Sequence, residues 1–481
     1  MKTFALLTVF FCLVCDIRSA STANYLENGK LFISNDRDLH LNVILTLKNS
    51  TSSILDSLKM ETFADRIDRI NRITKMLKEF TTAAQTNVVN FLQAEQTLKG
   101  FTMETLWVTN QVIIWRADRE LLHTLTMSFE EIEKIEDEKF IELDDPIDEI
   151  EFFDSRATGS NLKEHHWGVD DIDAPRVWQE GIKGSGVVVA TIDTGVRYTH
   201  EALVDSFLGD YGWYSPANKT TLPTDVNGHG THTMGTIVGA TLNIGVSPGS
   251  KWMSCQGCHK RSCSDINLLL CGQWMICPTK PDGSHADCSK APHLVSNSWG
   301  GSQGNPWFAG VVRAWQAIGI VPLFAAGNSG PKCGTVMSPG DYNDVISVGA
   351  TTVNRTVSVF SSVGPTKRGD KMKPEIAAPG SKILSSSYRS DTGYALMSGT
   401  SMACPHAAGL TALVISQKPE LTFAQLKAVL MDGTVPTVSK GSNCGGVADD
   451  QFPNYHAGSG KINAIRTFQN LGFINASISS S

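Results

Sequence analysis

The sequence of 481 residues lacks two features that would assign it to whole classes of protein. Beyond its first 23 residues it has no apolar run of the length that a membrane-spanning helix needs, about 20 residues. It also lacks an excess of basic residues, since its formal net charge is −7. A chain of this charge gives no reason to expect a nucleic-acid partner. We therefore expect neither a membrane anchor nor a nucleic-acid partner.

The charge of the chain changes along its length. Acidic residues outnumber basic ones in residues 1–156, whereas the remainder is close to balanced. Such an asymmetry predicts a boundary between units of different character near residue 156. At roughly 100–200 residues per domain, the length fits two to four domains.

The first 23 residues, MKTFALLTVFFCLVCDIRSASTA, have the order of a secretory signal. Lys2 precedes an apolar run over residues 4–15, and small residues follow it. We expect residues 1–20 to be removed as a signal peptide, with cleavage after Ala23 as an alternative position. A buried N-terminal helix is the alternative to a signal. The mature protein is then expected outside the cell or in the lumen of a lysosome-like compartment.

Two patterns of periodicity follow the signal. Residues 21–155 predict a small α+β unit with a strand at 39–49, a helical stretch over 52–98, a strand through TLWVTNQVIIW, a helix, and a final strand through IEKIEDEKFIEL. An acidic stretch from residue 144 is typical of an exposed linker. From about Trp167, apolar runs alternate with helical segments, which indicates an α/β domain whose parallel sheet is covered by helices on both faces.

Ser401 lies in the stretch SGTSMACPHAAG, where a turn of small residues leads into a helix. Its hydroxyl could cap the helix, or it could be a nucleophile beside backbone N–H groups that face an anion. Asp193 in TIDTGV and His229 in HGTHTMGT favour the nucleophile, because Ser, His and Asp supply the three roles of nucleophilic hydrolysis. Asn328 in AAGNSG offers a side-chain donor for a developing oxyanion.

These four stretches resemble the subtilisin-like serine peptidases, and the order Asp193, His229, Ser401 is the order found in subtilisin. The resemblance runs from about residue 167 to 472, and its wording is closest to bacillopeptidase F-type enzymes. It implies a peptidase domain over residues 156–481 with a Ser-His-Asp triad and an acyl-enzyme. Its substrates would be proteins or peptides. A monomer is expected.

The end of the N-terminal unit resembles subtilisin-type propeptides. Residues 21–155 would then be a folding template and inhibitor, cut from the peptidase domain between residues 154 and 166. Catalysis would need no cofactor. The family's calcium loop is not carried over, because GTIVGATLNIGVSPG is short and has no carboxylate, so structural calcium is not assigned and no metal ligand is predicted.

The family also implies a pocket for the residue before the cut bond. Its walls would be Ser298-Trp299-Gly300 and Ala325-Ala326-Gly327, with Met337 as its floor. These stretches hold no carboxylate that could pair with a basic side chain, and Met337 stands where glycine is frequent in the family. We therefore expect a shallow, apolar pocket that prefers small or medium uncharged residues.

The cysteines are crowded into one segment, which fits an oxidising compartment. We expect three disulfides within 255–288, a free thiol at Cys404 and, by elimination, a pair between Cys333 and Cys444. A zinc module is the alternative, although only one C-x-x-C spacing is present. The cysteines of the segment are Cys255, Cys258, Cys263, Cys271, Cys277 and Cys288.

Several other residues need an interpretation. His232 and His406 accompany the catalytic motifs and are interpreted as structural, since HGTH lacks the Glu of a zincin motif. The sequons predict glycan sites at Asn49, Asn218, Asn354 and Asn475. The alternative to an enzyme is an inactive binding protein with a peptidase fold, although all four catalytic positions hold the expected residues.

Overall fold

The computed structural model describes residues 40–58, 61–143, 151–156, 167–367, 369, 371–438 and 443–475. The predicted signal peptide lies outside these residues. Among the described residues, every helix is too short or too polar to cross a bilayer.

The N-terminal unit is a four-stranded antiparallel sheet covered by helices. Its elements are β1 (Leu41–Leu47), α1 (Ser52–Ser57), α2 (Arg66–Lys99), β2 (Thr102–Leu106), β3 (Gln111–Ala117), α3 (Arg119–Ser128), β4 (Ile132–Asp137), β5 (Phe140–Glu142) and β6 (Glu151–Asp154). The sheet order is β2-β3-β1-β4. Asp65 begins α2 by accepting from the backbone N–H of Asp68, and Gly100 ends it in the left-handed conformation.

Four local predictions differ from the structure. The helical stretch expected over 52–98 is two helices, because α1 ends at Ser57 and α2 begins only at Arg66, after its cap Asp65. The expected single strand through TLWVTNQVIIW is a hairpin of β2 and β3, because the chain turns at Asn110, whose φ of 55° suits asparagine. The expected final strand is also divided: β4 stays in the N-terminal sheet, whereas β5 leaves it. The stretch expected to be an exposed linker contains β6, which pairs with another strand.

The second unit is a three-layer α/β domain, as predicted. Its strands are β7 (Val188–Asp193), β8 (Trp213–Tyr214), β9 (Lys251–Gln256), β10 (Cys258–His259), β11 (Ser262–Ser264), β12 (Leu294–Asn297), β13 (Val321–Ala325), β14 (Ile346–Thr351), β15 (Ile376–Pro379), β16 (Ile383–Ser386), β17 (Gly393–Met397), β18 (Thr434–Val435) and β19 (Lys461–Ile462). Its helices are α4 (Trp167–Asp171), α5 (Ala174–Gln179), α6 (His229–Val238), α7 (Asp265–Ile276), α8 (Ala309–Ala317), α9 (Thr400–Gln417), α10 (Phe423–Asp432) and α11 (Ala464–Asn470).

The main sheet has nine strands in the order β18-β19-β15-β14-β13-β12-β7-β9-β8, parallel except for β18. Both of its faces are buried. Along β7, Val189 packs in the cluster with α6 and α9, whereas the next residue, Ala190, faces the cluster with α7 and α8. Because successive residues of a strand enter apolar layers on opposite faces of the sheet, the sequences of these strands are continuous apolar runs.

The N-terminal unit packs on α7 and α8. In β1, Val43 and Leu45 face the unit's own helices, and Ile44 joins the core cluster that includes α7 and α8. Polar contacts support this interface: the side chain of Gln273 accepts from the backbone N–H of Val108 at 3.2 Å, and Arg69 donates to the carbonyl of Ala317 at 2.6 Å.

Candidate active site

The predicted catalytic residues lie at the ends of regular elements that meet at the carboxyl edge of the main sheet. Asp193 is the last residue of β7, His229 is the first residue of α6, and Ser401 is the second residue of α9. Ligands of open α/β sheets bind outside this edge. His229, Asn328 and Ser401 line one cavity there.

Asp193 holds the imidazole of His229 in place. Its Oδ1 lies 2.8 Å from Nδ1 of His229 and accepts from the backbone N–H of Thr194 at 2.7 Å, while Oδ2 accepts from Thr233 at 3.2 Å. The Asp193 side chain is 1% exposed and that of His229 is 16% exposed. With Asp193 ionised, Nδ1 carries the ring proton, which leaves Nε2 as the basic nitrogen.

Ser401 is not the cap of its helix. The cap position of α9 is Gly399, which makes no side-chain capping bond. The hydroxyl of Ser401 instead donates to the carbonyl of Ser298 at 3.2 Å, and the hydroxyl of Ser298 donates to the carbonyl of Ser401 at 2.9 Å. The helix therefore presents the Ser401 hydroxyl in the cavity beside its own first N–H groups.

Asn328 is oriented by its neighbour Thr400. Its Oδ1 accepts from both the backbone N–H and the hydroxyl of Thr400, each at 2.9 Å. A Cβ placed on Gly399 would lie 3.7 Å from Nδ2 of Asn328 and 3.6 Å from the backbone N of Ser401. The two nitrogens therefore lie close to the same point beside Gly399, as the donors of an oxyanion site must.

The structure brings most of the predicted pocket residues together. Met337 packs between the two walls, because a Cβ on Gly327 would lie 2.8 Å from its Cγ and one on Gly300 would lie 3.3 Å from its Cβ. Ala326 does not line the cavity, since it is buried behind the wall. The predicted residues that do line it are Ser298, Trp299, Gly300, Ala325, Gly327 and Met337.

The structure adds Asp225, which the sequence analysis did not identify. Its carboxylate accepts from the backbone N–H groups of Asn227, Gly228 and Thr231 at 2.8–2.9 Å and from two threonine hydroxyls. These bonds fold the loop that leads into His229. An Asp four residues before the candidate base His229 could have been noticed as a turn former.

The lining residues that the sequence did not indicate include Glu142 and Leu143 of the N-terminal unit, and Arg261. Strand pairing brings these residues to the cavity, because β5 pairs antiparallel with β11 and Cys263 lies opposite Ile141. Pairing between strands more than 100 residues apart leaves no local signal in the sequence.

His232 and His406 have structural contacts. Nε2 of His232 lies 2.9 Å from the carbonyl of Ile383, and burial lowers its pKa to about 3. Nδ1 of His406 lies 2.8 Å from the carbonyl of Met402, and burial lowers its pKa to about 4. Both rings are therefore neutral parts of the core near pH 7.

The cysteines form four disulfides in the described residues: Cys255–Cys271, Cys258–Cys263, Cys277–Cys288 and Cys333–Cys444. The zinc module does not agree with this pairing, because all six sulfurs of the segment are in S–S bonds. Cys404 is free and buried, and burial raises its pKa to about 12, so the thiol stays protonated and inert.

The residues that the structure describes contain no group of three or more His, Cys, Asp or Glu side chains that could hold a metal ion. The four sequon asparagines, Asn49, Asn218, Asn354 and Asn475, are exposed.

Comparison with known proteins assigns the family. The chain matches the Subtilase family over residues 184–460. It is 31% identical to Bacillopeptidase F of Bacillus subtilis (strain 168) over 455 residues, which is 87% of this chain and 30% of that protein.

Two further relatives match a smaller part of this chain. Serine protease AprX of Bacillus subtilis (strain 168) is 34% identical over 315 residues, covering 59% of this chain and 66% of the relative. Subtilisin DY of Bacillus licheniformis is 32% identical over 267 residues, covering 54% of this chain and 88% of the relative. The chain thus spans less than two thirds of the length of Bacillopeptidase F and AprX. Because the family match covers more than half of its residues, and the fold and motifs agree with it, this chain belongs to the subtilase family.

Proposed function

We propose that the protein is a serine endopeptidase that hydrolyses protein or peptide substrates. The observation that carries the proposal is the cavity lined by His229, Asn328 and Ser401, in which the ring of His229 is held from behind by Asp193. This arrangement supplies a nucleophile, an oriented base and an oxyanion donor. An inactive binding protein of the same fold would not need all of these groups.

The reaction follows from these positions. Oγ of Ser401 attacks the peptide carbonyl carbon while its proton passes to Nε2 of His229. The resulting oxyanion accepts from Nδ2 of Asn328 and the backbone N–H of Ser401. His229 then gives the proton to the leaving amine, which produces an acyl-enzyme, and a water molecule activated by His229 hydrolyses it. Each step uses groups of the chain, so no cofactor is required.

The protein is further proposed to be a secreted monomer made as a zymogen, with residues 1–20 as signal and the N-terminal unit as inhibitor. Glu142 and Leu143 line the catalytic cavity, and Glu151 of β6 pairs with Leu396, next to the lining residue Met397. Both ends of the interval between residues 143 and 151 therefore lie next to the cavity that Ser401 lines. We place the self-cleaved bond in this interval, earlier than the expected range of 154–166.

Substitution of Ser401 tests both parts. A fluorophosphonate should label the wild-type protein at Ser401, and Ser401→Ala should lose nearly all peptide hydrolysis, because triad members act as a unit. The purified Ser401→Ala protein should stay uncut, while the wild-type mature chain should begin between residues 144 and 151. Near-wild-type turnover of the variant would refute the peptidase assignment. A mature N-terminus after residue 154 would refute the early cut.

A further inference from the structure

A short hairpin with a basic turn stands at the cleft. It consists of β10 and β11, with Lys260 and Arg261 in the turn, and Cys258 and Cys263 join its two strands. A second disulfide, from Cys255 on β9 to α7, holds the strand that leads into it. The hairpin is therefore fixed at its base, and its turn is presented in a defined position.

Arg261 contacts the segment that occupies the cleft with both its backbone and its side chain. Its carbonyl accepts from the backbone N–H of Leu143 at 2.8 Å, and its Nη2 donates to the carbonyl of Leu143 at 3.3 Å. The guanidinium therefore lies at the carbonyl of Leu143, and Arg261 lines the same cavity as Ser401.

The peptidase domain contributes positive charge to the lining of this cavity. Among the described lining residues of the peptidase domain there is no carboxylate, and the arginine among them, Arg261, is positively charged at every ordinary pH. In the chain itself, the two residues after Leu143 are Asp144 and Asp145. The sequence that follows the cleft-bound strand thus complements the charge of Arg261.

We infer that Arg261 is a specificity-determining residue that favours substrates with an acidic side chain directly after the residue bound where Leu143 lies. This inference rests on the proposed peptidase function and names a substrate class for it, acidic peptides. A planar guanidinium fixed beside the bound backbone can form paired hydrogen bonds with a carboxylate, which a neutral side chain in the same place cannot do.

Peptides that differ at one position test the inference. The wild-type protein is allowed to cut itself, and the mature enzyme is then given three peptides. The peptides are identical except for the residue that follows a leucine, which is Asp, Asn or Lys. The value of kcat/KM is measured for each peptide. Arg261 is exposed, so we expect a preference for Asp over Asn of about two- to fivefold, as for exposed ion pairs. The preference for Asp over Lys should be larger. Both should shrink as salt rises, because the charges are screened.

The variants separate charge from structure. Arg261→Ala should bring the Asp/Asn ratio to about one, Arg261→Glu should favour Lys, and Lys260→Ala, in the same turn, should keep the wild-type ratio. The Asn peptide reports the peptidase activity independently. A wild-type ratio of one with normal turnover of the Asn peptide would overturn the role of Arg261 alone. Loss of turnover for every peptide would overturn the proposed function as well.

Discussion

Replacement of Asn328 by alanine would remove one of the two donors to the oxyanion and leave the other, the backbone N–H of Ser401. In related reactions the loss of one such donor costs about 2.7–4 kcal/mol, a decrease in kcat of about 10²- to 10³-fold. We expect Asn328→Ala to fall in this range, because Oδ1 is held by two bonds from Thr400 and the amide is therefore already oriented before substrate binds.

The assay is steady-state hydrolysis of a chromogenic peptide, with thermal unfolding as a check that the variant is folded. KM should change little, since the donor acts on charge that develops in the transition state. The variant also removes the acceptor of Thr400, so a matched control is needed. Asn328→Asp keeps an oxygen for Thr400 but places a carboxylate oxygen where the N–H donor was.

The two variants distinguish the explanations. If the amide donor is the cause, Asn328→Asp will be at least as impaired as Asn328→Ala, because its charge repels the oxyanion. If loss of the Thr400 contact is the cause, Asn328→Asp will recover activity. A kcat for Asn328→Ala within threefold of wild type would refute the oxyanion role.

Two further predictions concern the pocket and the inhibitor. Met337→Gly should raise the ratio of cleavage after Phe to cleavage after Ala, because the pocket becomes deeper; each methylene that it then accommodates is worth about 1–3 kcal/mol of discrimination. Met337→Leu keeps a side chain of similar size and should leave the ratio unchanged. If peptide profiling of Met337→Gly shows an unchanged ratio, Met337 is not the floor. Burial raises the pKa of Asp265, which accepts from the backbone N–H of Lys139, to about 7. We expect water to reach this carboxyl once the N-terminal unit leaves, which would lower its pKa in the free domain. Affinity for the cut N-terminal unit should then fall, by up to about tenfold, as pH rises from 6 to 8. Co-elution of the two units in the fluorophosphonate-inactivated protein measures this, and Asp265→Asn should remove the pH dependence; if the variant retained it, another group would be responsible.

The positions of the candidate catalytic groups could be predicted from the sequence because each group is placed by its own local element. An apolar run that ends in Asp193 is a strand with a carboxylate at its carboxyl edge, and small residues around Ser401 lead directly into a helix. The parallel sheet then brings these ends together wherever the intervening chain runs. The family resemblance supplied the roles of these groups.

Other expectations depended on single local signals and were less accurate. The turn at Asn110 divided an expected strand, because alternation continues on both sides of a two-stranded hairpin. The acidic stretch was interpreted as a linker on its charge, yet Phe152 and Phe153 lie in a strand that pairs with Ala395 and Tyr394. The acidic composition of β6 is unfavourable for a strand on its own, and pairing with β17, which is distant in the sequence, stabilises it.

The sequence by itself therefore determined the α/β class of the second unit and indicated Asp193, His229, Asn328 and Ser401 as the candidate catalytic groups. Only the tertiary structure decided what surrounds them: that Leu143 enters the catalytic cavity and that Arg261 contacts it there. The physical reason is the range of the interactions. Periodicity and capping act within a few residues, whereas the bond between Leu143 and Arg261 joins strands 118 residues apart and forms only when both units have folded.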